Sequence, residues 1–209
     1  AYGVKVLEHH QPEWFVAENV SGLRSSNGGI DYKRILDAMR EAGRGYKLTP
    51  HLYRFEDYGV PQRRHRIIVV GVREDVPVTF RVPAPTHPDR DQWKTAAAAL
   101  SDIPPGTPNH RIIRHPESVI RRLELIDPGE NAFNAKRMTD ELRLNVKGAT
   151  LSQIYKRLRP DRPSYTITGS GGGGTHGYHW AEPRALTNRE RARLQTFPDD
   201  FEFVGERGS

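Results

Sequence analysis

The sequence contains no cysteine among its 209 residues. This absence excludes disulfide bonds, thiolate ligands for zinc or iron–sulfur clusters, and any reaction whose nucleophile is a thiol of this chain. Long apolar runs are also missing: the longest, at residues 67–72, has the length of a strand and falls far short of the roughly 18 residues of a membrane span. We therefore expect no membrane segment and a cytoplasmic location.

The composition predicts compact elements joined by long loops. Only 35% of the residues are hydrophobic, and there are 16 prolines and 19 glycines. The 32 Lys and Arg exceed the 26 Asp and Glu, for a net charge of +6, which is compatible with nucleic acid binding without requiring it. The chain does not begin with Met; a processed product, a fragment and a natural subunit all stay open.

The first part of the chain has the pattern of an α/β sheet. An apolar run at 12–17 predicts a buried strand that ends at Glu18, and apolar residues at helical spacing predict a helix over 32–42. Strands are expected at 46–53 and 66–72, so that the order is strand, helix, strand, strand. Taken alone, Glu18 can be an ordinary loop carboxylate or a cap for the next element. The functional alternative is that burial at the end of a core strand raises the pKa of its carboxyl group and lets it carry a proton.

Three polar residues precede the strongest predicted strand. In one extended segment Gln62, Arg64 and Arg66 share a face, and Arg63 and His65 share the other. Buried guanidinium groups need anionic or hydrogen-bonding partners. Taken alone, this segment is better interpreted as a solvated basic strand end than as an active-site triplet.

The second part of the chain is less regular. Prolines interrupt residues 82–163, and within them the stretch 110–122 is rich in positive charge. A solvated basic face is the simpler interpretation of that stretch, and a face that contacts phosphates is the alternative. Regularity returns with a strand at 164–168, a glycine run at 169–174 and a helix that a capping box opens at Thr187. The glycine run lacks the Lys of a phosphate-binding loop, and the histidines lack metal-ligand spacing, so we predict no metal site.

Four blocks of the sequence, in this order, resemble the DNA (cytosine-5) methyltransferase family. They are PEWFVAENV at 12–20, YGVPQRRHRIIVVG at 58–71, RPSYTI at 162–167 and RALTNRERARLQTFPD at 184–199. The resemblance covers nearly the whole chain. It implies an α/β fold that consists of a partial Rossmann-like methyltransferase sheet and a small, irregular target-recognition domain.

The resemblance also implies roles for single residues. Glu18 would contact and help to protonate the ring nitrogen N3 of a flipped-out cytosine, which opens carbon 6 to nucleophilic attack. Arg66 would contact the cytosine carbonyl oxygen and hold Glu18, while Arg64 would support the target nucleotide and its phosphates. Asn19 and Gln62 match neighbouring positions of the same blocks and are expected at the substrate site.

By the same resemblance the chain has three parts. Residues 1–84 form a partial catalytic α/β domain, 85–162 a target-recognition region, and 163–209 a C-terminal block that links the two. The candidate DNA contacts are Arg111, Arg114, Arg121, Arg122, Gly171 and Gly172. Structural ion pairs, rather than catalytic roles, are expected for three residues of the last block: Arg189, Glu190 and Arg193.

Other motifs of the family are absent. The chain has no Pro-Cys-Gln loop, no Gly-rich block for S-adenosylmethionine and no terminal Gly-Asn-x-Val block. We therefore expect part of a restriction–modification enzyme that is inactive alone and acts on double-stranded DNA with a complementary chain that carries the cysteine and most of the cofactor site. The complete reaction would be base flipping, cysteine addition at carbon 6, methyl transfer to carbon 5, and elimination.

Two alternatives stay open. One is a catalytically inert DNA-binding or regulatory module derived from such an enzyme, and the other is a basic α/β domain unrelated to methylation. If strands of the sheet are missing, an exposed sheet edge should remain. Such an edge predicts a partner chain, dimerisation or marginal stability.

Overall fold

The computed structural model describes residues 2–144, 152–168 and 177–205. The chain divides into two compact units, the first containing residues 1–54 and 65–86 and the second containing residues 55–64 and 87–209. The functional division at residues 84 and 162 stays a prediction.

The regular elements alternate between helices and strands. In chain order they are α1 (Tyr2–His10), β1 (Trp14–Val20), α2 (Ile30–Arg40), β2 (Tyr46–Arg54), β3 (Gln62–Arg63), β4 (His65–Arg73), α3 (Ala96–Leu100), α4 (Glu117–Glu124), β5 (Ser164–Tyr165) and α5 (Asn188–Arg193). Short 3₁₀ turns occur at Ser21–Arg24, Ser26–Gly29, Phe55–Tyr58 and Asp140–Leu142. The predicted mixed α/β class is confirmed.

The first unit contains a three-stranded antiparallel sheet in the order β1-β4-β2. The apolar run that predicted the strongest strand forms β4, and its Ile67, Val69 and Val72 are buried. Because β4 is central, its backbone is paired on both sides. Pro50 lies within β2, and an edge strand tolerates this proline because one side of its backbone needs no ladder partner.

Strand β1 differs from the buried strand that the sequence predicted. It continues to Val20, so that Glu18 and Asn19 lie inside the strand and not after it. Most side chains of β1 are exposed to solvent, and that of Val16 is 71% exposed. The reason is that β1 lies at the sheet edge, where β4 is its only strand partner among the described residues.

Helix α2 lies two residues earlier than predicted. It begins directly after Gly29, whose φ of 86° places it in the left-handed region, and Asp31 falls in its first turn. A carboxylate in the first turn interacts favourably with the helix dipole. Gly43, three residues after the helix end, has a φ of 56°, in the left-handed region that favours glycine.

The segment from Gln62 to Arg66 is not one extended strand. The N–H of Arg64 donates to the carbonyl of Gln62 at 2.9 Å, and this tight turn separates β3 from β4. The two strands belong to different sheets, since β3 pairs in parallel with β5. The shared face predicted for Gln62, Arg64 and Arg66 required a continuous strand, which this structure does not contain.

The second unit consists mainly of loops packed on two apolar clusters. Leu123, Ile126, Ala132, Met138, Leu142, Ile154, Tyr178 and Ala185 form one, and Ala96, Leu158, Ile167, Leu186 and Leu194 form the other. Strand β5 covers only the first two residues of the strand predicted at 164–168. The prolines account for the low regularity, because each removes a backbone donor and restricts the residue before it.

Gly71 allows an aromatic ring to lie across the central strand. A Cβ atom at this position would overlap the ring of Phe15, which faces it from β1 and also contacts the ring of buried Tyr46. We expect Gly71→Ala to lower the free energy of unfolding by about 1–3 kcal/mol, the usual effect of overpacking. Urea unfolding measures this change.

The control for Gly71→Ala is Gly3→Ala in α1, where nothing lies within 4 Å of the added atom. Because alanine favours helix over glycine by about 1 kcal/mol, this variant should be as stable as the wild type or more stable. Equal urea midpoints for Gly71→Ala and the wild type would show that the ring moves aside without cost.

Candidate functional site

Glu18 and Arg66 form an ion pair on neighbouring strands. Glu18 faces Ile68 in the β1–β4 register, and Arg66 faces Val20, so that the two are diagonal neighbours within reach of long side chains. Arg66 Nε lies 2.7 Å from Glu18 Oε1, and the side chains are 14% and 52% exposed, respectively. The burial expected for Glu18 is thus not found in the described residues, and the carboxylate is held by Arg66 instead.

A backbone carbonyl also holds Arg66. Its Nη1 donates to the carbonyl of His65 at 2.8 Å, while its Nε contacts the carboxylate of Glu18. A guanidinium group has five N–H donors, so further donors remain for a third partner beside the carboxylate. Chemically, this pair can present a positioned carboxylate and a hydrogen-bond donor to one planar ligand.

Asn19 lies next to this pair in the chain. Its Oδ1 accepts a hydrogen bond from the N–H of Val20 at 2.8 Å, and its side chain is exposed. This contact shapes the backbone at the end of β1, where the 3₁₀ turn begins. Asn19 therefore stands beside Glu18 with its amide oxygen engaged locally.

Gln62 and Arg64 lie in the second unit, whereas Glu18 and Arg66 lie in the first. Gln62 is fully buried. Its Nε2 donates to the carbonyl of Leu194 at 3.2 Å, and its Oε1 accepts from the N–H of Ile167 at 3.1 Å. Both ends of this amide are satisfied by backbone, so Gln62 joins the segments after β5 and α5.

Two histidines attach the basic stretch to the segment before α5. His110 Nδ1 lies 2.9 Å from Thr187 Oγ1, and His115 Nε2 accepts from the N–H of Ala185 at 3.0 Å. Because the chain is held at both ends of residues 110–115, the residues between them have a defined backbone position.

The four arginines of this stretch have different environments. Arg111 and Arg114 are exposed and, with Ile112 and Ile113, line a cleft of about 500 Å³. Arg121 is exposed with Glu141 at 3.5 Å. Arg122 is half-buried: it donates to the carbonyl of Leu142 at 2.9 Å and lies over the ring of Tyr155. Arg111 and Arg114 are therefore the arginines most available to an anionic ligand.

The two acceptor histidines make stability depend on pH. Burial lowers the pKa of His115 and of His179 below the ordinary value of 6.5, and His179 Nδ1 accepts from the N–H groups of Ala181 and Glu182. Since the unfolded chain binds these protons more readily, the free energy of unfolding should fall as pH decreases below 6.5. Urea midpoints at pH 7.5 and 5.5 measure this loss.

The matched variant is His115→Gln, whose amide oxygen can still accept from Ala185 but does not titrate. We expect a smaller difference between the two pH values for this variant than for the wild type. The same pH dependence in both proteins would show that proton uptake at His115 does not contribute.

Glu190 lies in a buried ion pair that begins α5. Arg184 Nη1 and Nη2 donate to its two carboxylate oxygens at 2.8 Å each. Thr187 completes a capping box, since its N–H donates to Glu190 and its hydroxyl accepts from the Glu190 N–H. Burial opposes ionisation, but the bonds from Arg184 and from the Thr187 backbone hold the pKa of Glu190 below its ordinary value.

The other two residues expected in structural ion pairs differ from each other. Arg193 pairs with Asp199 at 2.5 Å and thus matches the expectation. Arg189 is fully buried and instead donates to the carbonyls of Pro108, Pro198 and Phe201. The ion pair predicted for Arg189 was wrong, because backbone oxygens satisfy its guanidinium group.

Arg157 was missed by the sequence analysis. Its buried guanidinium group donates to four backbone carbonyls, those of Leu123, Ile126, His179 and Trp180. These bonds join the end of α4 to the segment before α5. No motif could reveal this role, because any residue type supplies a carbonyl acceptor.

The remaining predictions concern DNA, metals and the membrane. Gly171 and Gly172 lie outside the described residues. Within 2–144, 152–168 and 177–205, no three His, Cys, Asp or Glu side chains are grouped in a way that could hold a metal ion. In the same ranges, no helix has the length and apolar character that crossing a membrane requires.

The described residues do not fit a cofactor pocket of the Rossmann type. Such pockets form outside the carboxyl ends of parallel strands, next to a glycine-rich turn that opens a helix. The sheet of the first unit is antiparallel throughout, and the described residues contain no glycine-rich turn between a parallel strand and a helix.

The model of the C-5 cytosine-specific DNA methylase family matches residues 1–209, which is the whole chain. The chain belongs to this family. The hypothesis of a basic α/β domain unrelated to methylation is therefore wrong, and the resemblance of the four blocks is confirmed. This methylase-family chain carries the Glu18–Arg66 pair within the first two of those blocks.

Among curated relatives, the methylase-family chain is similar to Type II methyltransferases. It is 60% identical to M.BbvI of Brevibacillus brevis over 208 residues, which cover 99% of this chain and 55% of the relative. It is 44% identical to M.NgoFVII of Neisseria gonorrhoeae over 207 residues, which cover 97% of this chain and 54% of the relative. The chain thus spans about half the length of these relatives.

A solved structure supports the fold of the methylase-family chain. A DNA modification methyltransferase encoded within an E. coli prophage superimposes with a TM-score of 0.65 at 21% identity, covering 94% of this chain and 62% of that one. At this identity the likeness concerns the fold alone. It confirms the predicted Rossmann-like methyltransferase fold for the part that this chain supplies.

Proposed function

We propose that this chain is part of a DNA (cytosine-5-)-methyltransferase, in which it holds the target cytosine and reads the DNA sequence. Alone it is inactive, and a complementary part supplies the attacking cysteine and most of the S-adenosylmethionine site. The observation that carries this proposal is the 2.7 Å pair of Glu18 and Arg66 in a family member without any cysteine.

In the proposed site Glu18 holds a proton at N3 of the flipped cytosine. A proton at N3 withdraws electron density from carbon 6 and so makes that carbon electrophilic. Arg66 positions the carboxylate through Nε and directs remaining N–H donors toward the cytosine carbonyl oxygen. The two residues thus bind and polarise the base, and a thiolate from the complementary part attacks it.

The edge of β1 supports a complementary part. Strand β1 pairs only with β4 among the described residues, and Trp14, Val16 and Val20 are exposed along it. An edge strand with free N–H and C=O groups and apolar side chains is a template for another strand. The occupant that we propose is a strand of the part that carries the cysteine and the cofactor site.

Double-stranded DNA is the proposed substrate. Residues 85–162 act as the recognition region, residues 163–209 as the block that links it to the catalytic residues at 1–84, and Arg111 and Arg114 contact DNA phosphates or bases. Arg64 supports the target nucleotide. The assembled enzyme works in the cytoplasm, on the DNA of the nucleoid, within a restriction–modification system.

Complementation tests this proposal. The purified chain is assayed for transfer of labelled methyl groups to duplex DNA, first alone and then mixed with the N-terminal part of a relative such as M.BbvI. We expect no transfer by the chain alone and methylated cytosine after mixing. Methylation by the chain alone would show that it is complete.

A second outcome separates the proposed enzyme from the inert module. If the two parts associate stably and methylation is still absent, the catalytic role of the chain is wrong. Specific binding of duplex DNA by the chain in that case would support a DNA-binding or regulatory module instead.

A further inference from the structure

Two positively charged residues, Arg63 and Lys156, both adjoin Tyr165 of the β3–β5 pair. Arg63 and Tyr165 face each other in this parallel pairing, and the Lys156 ammonium group lies 4.8 Å from the centre of the Tyr165 ring. All three residues belong to the second unit. The cluster of Arg63 and Lys156 was not among the candidate sites that the sequence suggested.

Hydrogen bonds fix the backbone under both charges. The Tyr165 hydroxyl donates to the carbonyl of Lys156 at 2.7 Å, and the Thr166 hydroxyl donates to the carbonyl of Arg63 at 2.7 Å. Fully buried Gln62 adds its own bonds directly before Arg63. The backbone that carries both cations is therefore held by hydrogen bonds, and a held backbone reduces the entropy lost when they bind a ligand.

The charges of this cluster are not balanced within the described residues. No carboxylate lies within ion-pair distance of Lys156 there, and Arg63 has only Glu56, at 4.0 Å. Burial and, after it, the charge of Arg63 lower the pKa of Lys156 below its ordinary value of 10.5. Two like charges held together in this way are stabilised by an anion that binds both.

We propose that Lys156 and Arg63 clamp one phosphate of the DNA backbone. A phosphodiester matches the pair because its oxygens accept from an ammonium and a guanidinium group at once. Its single negative charge also relieves the repulsion between them. This inference rests on the proposed function, because it assumes that duplex DNA is the substrate.

The test measures binding of the full chain to a fluorescent DNA duplex over a range of salt concentrations. We expect Lys156→Gln to weaken binding about tenfold at low salt, as for loss of a charged hydrogen bond. The slope of log K against log salt should decrease by about 0.9, the value for one lost phosphate contact. Arg63→Gln should have the same effect. Lys156→Arg keeps the positive charge and should therefore keep the affinity and the salt slope of the wild type.

Lys5→Gln is the control, because Lys5 is an exposed lysine of α1 for which no DNA contact is proposed and the substitution removes the same charge. Urea unfolding of each variant checks that the fold is retained. An equal loss for Lys5→Gln would show a general charge effect and overturn the clamp. Unchanged binding by Lys156→Gln, with clear binding by the wild type, overturns the clamp alone.

Failure of the wild type to bind duplex DNA, even at low salt, has a different meaning. It overturns both the clamp and the DNA-reading role proposed for the chain. If Lys156→Gln fails to fold, Lys156→Arg and Arg63→Gln decide the question: the first should bind like the wild type, and the second should bind about tenfold more weakly.

Discussion

Glu18→Gln in the reassembled enzyme is expected to lower the rate of methylation by two to four orders of magnitude, the usual contribution of a positioned acid or base (about 10²–10⁴-fold). Glutamine has nearly the same shape and can still contact Arg66, but it cannot hold a proton for N3 of cytosine. The measurement is single-turnover methyl transfer to duplex DNA. Binding of the duplex should change much less than the rate.

The matched control is Glu13→Gln. Glu13 is also an exposed carboxylate next to an arginine of β4, with its Oε1 3.9 Å from Arg73 Nη2, but it lies before β1 and outside the proposed site. Both variants should unfold at nearly the wild-type urea concentration, because exposed ion pairs contribute about 0–1 kcal/mol. A rate for Glu18→Gln equal to that of Glu13→Gln would refute the role of Glu18.

Arg184→Met should lower the free energy of unfolding by about 3–5 kcal/mol, the effect of breaking a buried ion pair. Methionine approximates the length of the side chain but leaves the Glu190 carboxylate buried without its bidentate partner. Glu190 is only 3% exposed, so bulk water does not solvate the unpaired carboxylate. Because whole domains are stable by about 5–15 kcal/mol, the loss is large enough to appear directly in urea unfolding.

Two further variants separate the buried charge from loss of side-chain volume. Adding Glu190→Gln to Arg184→Met should recover part of the stability, since the uncompensated charge is removed while the capping bond can remain. Arg159→Met should cost less than about 1 kcal/mol, because Arg159 and Asp161 form an exposed pair. Similar losses for Arg159→Met and Arg184→Met would mean that burial of the pair has no special effect.

Local patterns predicted the elements that depend on neighbouring residues. The apolar run of residues 67–72 forms most of β4, and the Thr187–Glu190 capping box opens α5 as expected. The predicted bounds of helix α2 lie two residues too late at each end. The reason is that the helix begins after Gly29, which has no capping side chain for the sequence to show. Periodicity and capping act over a few residues, so the sequence carries them directly.

The candidate site was predicted in part. Glu18 and Arg66 were placed by resemblance, and the structure brings them into contact at 2.7 Å. The common face of Gln62, Arg64 and Arg66 was wrong, because a hydrogen bond between the backbones of Gln62 and Arg64 interrupts the strand. The phosphate clamp was not foreseen, since Lys156 and Arg63 are far apart in the chain.

The sequence by itself determined the family of this chain and the absence of cysteine among its 209 residues, because both depend on residue identity and order. Tertiary structure decided that β1 is an edge strand, that Glu18 is held by Arg66 rather than by burial, and that Arg157 and Arg189 bind carbonyl groups. Strand pairing and burial arise from contacts between distant segments. The backbone groups that make many of these contacts are the same in every residue type except proline, and so they leave no pattern in the sequence.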